Sequence, residues 1–157
     1  MKTTTRLQVL FTPLLISLLS AIALIGCDVI DYHPYDTKLK GDTEINKKAI
    51  ENIERHCASK EVIRFAVLTD TQRWYDETCD AVSSINKQPD IDFVIHCGDL
   101  TDFGATKEFE WMHRELKRLH PPYVAIIGNH DCLGTGEDVF KKMYGATNFS
   151  FNVGAYH

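Results

Sequence analysis

The chain has 157 residues, of which 44% are hydrophobic and 25% are charged, and its formal net charge at pH 7 is -5. This length suits one domain with a sizeable core, and the composition is that of an ordinary globular protein. The acidic balance lacks the basic footprint of nucleic-acid-binding proteins, so no nucleic-acid-binding surface is expected.

The first 26 residues have the pattern of a bacterial export signal. Two basic residues precede an apolar run over positions 14–25, which indicates a secretory signal rather than a helix of the domain. The run ends in Leu24-Ile25-Gly26-Cys27, which resembles the lipobox of bacterial lipoproteins. The resemblance implies cleavage before Cys27 and lipid attachment there, and hence an exported protein of the bacterial cell envelope that is anchored to a membrane through its N-terminal lipid. The alternative is an uncleaved anchor helix with an incidental cysteine.

The remaining four cysteines lack the Cys-x-x-Cys spacing of structural zinc sites. They are Cys57, Cys79, Cys97 and Cys132. Two disulfides would suit an exported protein. The apolar pattern around Cys97 instead favours a buried thiol at that position.

Residues 27–60 are expected to form a tether followed by a leading helix. In the helix, apolar residues recur every four positions, and Asp42 is the expected N-cap. The apolar positions are Ile45, Ala49, Ile53 and Cys57.

Residues 61–157 are expected to form the main domain, because apolar runs typical of buried strands alternate there with stretches of helical spacing. Strands are predicted over 62–68, 93–97, 123–127 and 149–153, and helices beginning at Asp76 and Thr106 and spanning 137–144. This order implies an α/β fold with parallel strands and helical crossovers. His96 is expected to be packed within the second strand, and His113 to be solvated on a charged helix face.

Polar side chains follow each of the first three predicted strands. Asp70 and Asp99 are 29 positions apart, and Asp99 and Asn129 are 30 positions apart, about the length of one strand-helix-strand unit. Ligands of such sheets bind beyond the carboxyl ends of the strands. Two carboxylates, an amide and an imidazole at one edge predict a site for Mn, Fe or Zn, and a bridging carboxylate would allow two divalent ions.

These clusters resemble the first three motifs of the calcineurin-like metallophosphoesterases. Asp70-Thr71-Gln72, Gly98-Asp99-Leu100-Thr101-Asp102 and Gly128-Asn129-His130-Asp131 correspond to Asp-x-His, Gly-Asp-x-x-Asp/Asn and Gly-Asn-His-Asp/Glu. The resemblance covers roughly residues 61–157. It implies a β-sandwich flanked by helices and the hydrolysis of phosphoric esters at two divalent metal ions. The substrate stays open among phosphomonoesters, phosphodiesters, nucleotides and phospholipid headgroups.

The resemblance also implies a role for each matching residue. Asp70 would bind the first metal, with Gln72 at the position where the family has a histidine ligand. Asp99 would bridge both metals, and Asn129 would bind the second through its amide oxygen.

The remaining residues of the motifs would serve the phosphate ester. His130 would contact the phosphate and assist the leaving group, Asp131 would orient His130 by a hydrogen bond, and Asp102 would fix its loop. Arg73, Trp74 and Tyr75 follow the first motif and could line a substrate pocket, with the guanidinium of Arg73 facing a phosphate. The alternative is that Trp74 packs the loop.

Two departures from the family pattern stand out. Gln72 offers a carbonyl oxygen, which is a harder and weaker donor than imidazole. The family's later motifs, a lone histidine and Gly-His-x-His, have no counterpart after Asp131, where His157 is the only histidine. We therefore expect residues 61–157 to be an incomplete phosphoesterase domain, from a truncated chain with reduced or no activity. The alternative is a non-catalytic, lipid-anchored binding lipoprotein that retains the scaffold.

Overall fold

The structure, a computed structural model, describes residues 33–157 and the isolated positions 13, 17 and 20. The chain divides into two compact units, Met1–His33 and Pro34–His157, and the sheet and its helices belong to the second. The predicted lipidation site, Cys27, and all but those three isolated positions of the predicted export signal lie outside the described residues. No helix within the described residues is long and apolar enough to cross a membrane.

Helices and strands alternate along the second unit. In chain order they are helix α1 (Ile45–Cys57), strand β1 (Phe65–Leu68), helix α2 (Tyr75–Asn86), strand β2 (Phe93–His96), helix α3 (Thr106–Leu116), strand β3 (Tyr123–Ala125), a 3-10 turn (His130–Cys132) and helix α4 (Gly136–Met143). The strands form one parallel sheet in the order β1-β2-β3. The predicted α/β fold with parallel strands is therefore confirmed, and the described residues contain one sheet of it.

Side chains on the two faces of the sheet enter two separate hydrophobic clusters. Val94 and Ala125 pack with buried residues of α3 and α4, whereas Phe93 and Val124 pack with α1 on the other face. This alternation follows from the two-residue period of a strand. The four apolar positions predicted for α1 are all buried, so its helical spacing was interpreted correctly.

The outer edge of β3 is closed by a side chain of α1 rather than by another strand. The Asn46 amide donates to the carbonyl of Ala125 at 2.8 Å, and its oxygen accepts from the N–H of Ala125 at 2.8 Å. Asn46 is only 3% exposed. Since buried backbone groups need partners, this pair of bonds fixes α1 against the sheet.

His113 is buried, and the prediction that it is solvated is wrong. Its Nε2 lies 2.9 Å from the Asp42 carboxylate, and its Nδ1 contacts the Tyr123 hydroxyl. Asp42 therefore contacts His113 and does not cap α1, because the N-cap residue of α1 is Glu44. Helix periodicity missed this because Asp42 lies 71 positions away and Tyr123 lies in the next strand.

Two predictions near strand ends are also wrong. Cys97 is exposed because β2 ends at His96. The predicted strand over 149–153 is absent from the described residues, where a single antiparallel bridge joins Val153 and Tyr156. The four described cysteines are free thiols, so they form no disulfide with one another.

One face of β1 stays open in the described part of the chain. Phe65 and Val67 are 50% and 55% exposed. Phe65 stacks on Phe93 with ring centroids 5.2 Å apart, and both rings border an apolar groove of about 680 Å³ together with Phe149 and Phe151. The phenylalanines predicted to form a fourth strand thus pack by their side chains instead.

Replacing Asn46 by Ala should lower the free energy of unfolding by about 2–4 kcal/mol, because two buried backbone groups of Ala125 lose their partners. Asn52→Ala is the matched control, since Asn52 is an exposed residue of the same helix. Urea denaturation of both variants measures the difference. Equal midpoints would show that the amide does not fasten α1 to the sheet.

Candidate active site

Backbone hydrogen bonds join the first two motifs beyond the ends of β1 and β2. The N–H of Asp70 donates to the carbonyl of Gly98, and the N–H of Gln72 donates to the carbonyl of Asp99, both at 3.2 Å. The parallel pairing thus continues past the strands. It brings two of the predicted polar clusters side by side at the carboxyl edge of the sheet.

The third motif is joined to the second by side-chain contacts. The N–H of His130 donates to Oδ1 of Asp99 at 3.0 Å. A Cβ on Gly128 would lie 2.2 Å from the backbone nitrogen and Oδ1 of Asp99, and one on Gly98 would lie 2.7 Å from the nitrogen of Gly128. The two loops approach so closely that neither glycine can carry a side chain without displacing backbone.

Three residues of these loops adopt left-handed backbone conformations. Asp70, Arg73 and Asp99 have φ values of 54°, 60° and 56°. Each such conformation in a non-glycine residue costs about 1–3 kcal/mol and persists only where the surroundings hold it. Two of the three are candidate metal ligands, so the strain coincides with the predicted site.

The candidate ligands fit a divalent cation by their chemistry. Oε1 of Gln72 is buried and has no hydrogen-bond partner among the described residues, and an unpaired buried acceptor costs about 1–3 kcal/mol. A cation bound there would satisfy it. No cluster of three or more His, Cys, Asp and Glu side chains in the described part is placed to hold a metal, so the candidate set combines the carboxylates of Asp70 and Asp99 with the amides of Gln72 and Asn129. All four offer oxygen, the donor that hard divalent ions prefer.

His130 is oriented by a backbone carbonyl. Its Nδ1 lies 3.0 Å from the carbonyl oxygen of Asp102. A carbonyl only accepts, so Nδ1 carries the proton and Nε2 is left for a ligand. This hydrogen bond raises the pKa of His130, and the charges of Asp99 and Asp102 act in the same direction, whereas desolvation and the charge of Arg73 oppose them.

The prediction that Asp131 orients His130 by a hydrogen bond is wrong. Oδ1 of Asp131 accepts from the N–H of Thr101 at 2.8 Å and from its hydroxyl at 2.9 Å, and Oδ2 accepts from the N–H of Gly128 at 3.0 Å. Neighbouring side chains of a 3-10 turn point in different directions, and that of Asp131 points into the protein, where it is fully buried. Burial raises the pKa of Asp131, while the hydrogen bonds oppose that rise.

Sequence reasoning overlooked two buried threonines of the site. Thr101 bonds to Asp131 as described, and its hydroxyl also accepts from the N–H of Gly104 at 3.1 Å. Thr71 contacts His96 through its hydroxyl at 2.8 Å. Each threonine lies inside a motif at a position where the family pattern specifies no residue type, so the motif itself carries no signal for it.

His96 is a packed, hydrogen-bonded histidine, as predicted. It is fully buried, and its Nδ1 accepts from the N–H of Gly98 at 3.3 Å. Nδ1 is therefore unprotonated, and Nε2 donates to the Thr71 hydroxyl. Burial lowers the pKa of His96 to about 4, with the Asp70 charge acting against that shift.

Comparison with known proteins places these residues in a wider group. Residues 63–156 match the family described as calcineurin-like phosphoesterase. A probable cyclic nucleotide phosphodiesterase of Rhodopseudomonas palustris is 36% identical over 94 residues, covering 52% of this chain and 33% of the relative. A second probable cyclic nucleotide phosphodiesterase, from Xenorhabdus bovienii, is 28% identical over 57 residues, covering 36% of this chain and 23% of the relative.

A third relative carries a different substrate in its name. A probable glycerophosphodiester phosphodiesterase of Arcobacter nitrofigilis is 41% identical over 46 residues, covering 29% of this chain and 17% of the relative. The matched part of the chain thus spans at most 33% of the length of these three relatives.

Replacing Gly128 by Ala should lower the free energy of unfolding by about 3 kcal/mol, because the new methyl group would collide with the backbone of Asp99. Gly145→Ala is the control, since a Cβ there meets nothing within 4 Å although its φ is 109°. Gly145→Ala should lower the free energy of unfolding by less, because it adds backbone strain without a collision. Urea denaturation decides between them, and a larger loss at Gly145 would contradict the packing of the two loops.

The stability of the protein should fall as the pH drops from 6.5 toward 4. The pKa of His96 is about 4 in the folded protein against 6.5 for a free histidine, so the unfolded chain binds a proton that the folded chain excludes. The full contribution is present above pH 6.5 and amounts to about 3 kcal/mol. His96→Gln should reduce the dependence of the unfolding free energy on pH between pH 6.5 and 5. An unchanged slope would contradict a neutral buried imidazole.

Proposed function

Because the chain belongs to the calcineurin-like phosphoesterase family, we propose that it serves the metal-dependent hydrolysis of phosphoric esters and that phosphodiesters are its substrate class. The names of the three relatives support this class, since cyclic nucleotides and glycerophosphodiesters are both phosphodiesters. The observation that carries the proposal is the set of hydrogen bonds joining the three motifs at one sheet edge, together with the buried, unpaired oxygen of Gln72 in the first motif.

The metal ions would be held by oxygen donors from all three motifs. Asp70 and Gln72 would bind one ion, Asn129 would bind the other, and Asp99 would be shared between the two. The two divalent ions, of Mn, Fe or Zn, would supply an activated water at neutral pH and would neutralise charge on the phosphoryl oxygens. Asp70 and Asp99 both lie in the loops at this edge, and both adopt left-handed backbone conformations.

His130 would handle the proton of the leaving group. Its Nδ1 is committed to the carbonyl of Asp102, so Nε2 is the atom that faces a substrate. The raised pKa of His130 favours the imidazolium form. In that form the residue can donate to a leaving oxygen or stabilise negative charge on the phosphate. Asp131 would act at a distance from the substrate by holding the His130 turn against Thr101.

We also propose that the protein works at a membrane of the bacterial cell envelope. The support is the sequence pattern of the export signal and the lipobox-like ending before Cys27. A lipid at this cysteine would leave the phosphoesterase unit attached through the short segment that precedes Pro34.

A non-catalytic binding lipoprotein is the rival function. It is favoured by the composition of the candidate site, because the described residues bring no cluster of three or more His, Cys, Asp and Glu side chains together. Metal binding distinguishes the two functions, since a bare scaffold would hold no transition metal tightly.

The Asp99→Asn variant should lose metal and at least about 100-fold in the rate of hydrolysis, because Asp99 would contact both ions. The substrate is bis(4-nitrophenyl) phosphate with Mn²⁺, and bound metal is counted by elemental analysis of the full chain. Asp90→Asn is the matched control, since Asp90 is exposed and precedes β2, at the opposite edge of the sheet. If the unsubstituted chain binds no metal and hydrolyses no substrate, that result would support the rival function.

A further inference from the structure

A guanidinium group is fixed beside the candidate site by an ion pair. Nε of Arg73 donates to Oδ1 of Asp102 at 3.1 Å, and Nη2 donates to the same oxygen. Arg73 follows the candidate ligand Gln72 in the chain, and the carbonyl of Asp102 orients His130. The Arg73 side chain remains 60% exposed. Since a guanidinium has five N–H donors, several are left for an anion after this pair is made.

The backbone around Arg73 is held in place rather than free to swing. Arg73 has a φ of 60°. The residue before it, Gln72, donates to Asp99, and the residue after it, Trp74, donates to the carbonyl of Thr71 at 3.0 Å. A strained residue anchored on both sides presents its side chain in a set direction.

Two exposed aromatic residues follow the two partners of this ion pair. Trp74 is 53% exposed and Phe103 is 63% exposed. Because Arg73 contacts Asp102, the residues next to them in the chain are brought near the same edge of the site. Their backbones are anchored: the carbonyl of Trp74 accepts from Thr78 at 2.9 Å, and the N–H of Phe103 donates to Glu108 at 3.1 Å.

The rings of Trp74 and Phe103 have no aromatic stacking partner among the described residues. The other tryptophan, Trp111, meets Tyr75 edge to face at 6.4 Å. Exposed apolar groups beside a site commonly mark a surface for a ligand. A fixed cation, with an exposed and unstacked aromatic ring following each member of its ion pair in the chain, matches a molecule with an anionic end and a planar apolar end.

We propose that Arg73, Trp74 and Phe103 form a recognition rim that selects phosphate esters carrying a planar aromatic group, of the nucleotide class. Arg73 binds a phosphate oxygen that does not react, because its planar fork suits phosphate. Trp74 and Phe103 offer their faces to the base, and stacking of this kind strengthens binding by about 10-fold or more. The substrate class rests on the proposed function, whereas the binding preference can be measured without hydrolysis.

Tryptophan fluorescence of the full chain tests the rim. The chain has two tryptophans, so in the Trp111→Phe variant the signal comes from Trp74 alone. Adenosine 5′-monophosphate should quench it in the presence of Mn²⁺. Calorimetry should show about 10-fold weaker binding of ribose 5-phosphate, which carries the same phosphate without the base.

Substitutions separate the anionic end of the ligand from the planar end. Arg73→Ala should weaken the binding of both probes by about 10-fold. The control is Arg55→Ala, because Arg55 is an exposed arginine on α1. Trp74→Ala and Phe103→Ala should weaken the binding of adenosine monophosphate and leave the binding of ribose 5-phosphate unchanged. Trp74→Phe keeps a ring and should retain the preference. Circular dichroism of each variant verifies that it is folded.

Equal affinities for the two probes, or no binding of either, would overturn the rim even if the chain hydrolyses bis(4-nitrophenyl) phosphate. Conversely, a base-dependent preference that vanishes in Trp74→Ala and Phe103→Ala would uphold the rim even if the chain hydrolyses nothing. A base-dependent preference without any hydrolysis would count against the proposed function alone. Failure of the rim and failure of the proposed function therefore give different results.

Discussion

The buried carboxylate of Asp131 holds the candidate site together. It accepts hydrogen bonds from Thr101 in the loop after β2 and from Gly128 in the loop after β3. A carboxylate that is fully buried needs such donors, because burial without them would cost several kcal/mol. This junction adds to the hydrogen bonds that Asp99 makes with Gln72 and His130 in the neighbouring loops. His130 and Asp99 are positioned as a consequence, since both lie in the loops that Asp131 joins.

The backbone at this edge of the sheet is strained. Asp70, Arg73 and Asp99 all adopt left-handed conformations, and each costs about 1–3 kcal/mol. The unpaired oxygen of Gln72 adds a further cost. The sheet and its two hydrophobic clusters offset these costs, and the result is a set of polar groups that keep unused hydrogen-bonding capacity, as the oxygen of Gln72 does. Such groups are free to interact with a cation or a phosphate.

Much of the fold and of the site was predictable because its signals are local or periodic. Apolar spacing located α1 and α3, and the separations between Asp70, Asp99 and Asn129 predicted that the strand ends would meet. The failures at His113 and Asp131 arose because the deciding contact joins distant parts of the chain. His113 is buried through Asp42, 71 positions away, and neither residue's neighbours reveal the other.

The sequence by itself determined the order of the strands and helices, the three motifs and the family to which they point. Residue types and their spacing carry that information, since a parallel sheet with helical crossovers sends consecutive strand ends to one edge. Only the tertiary structure decided what each side chain does there. It assigned Asp131 to Thr101 instead of His130, oriented His130 by a carbonyl and paired Arg73 with Asp102. Hydrogen bonds are directional and short, so their choice among nearby acceptors depends on a geometry that spacing along the chain does not encode.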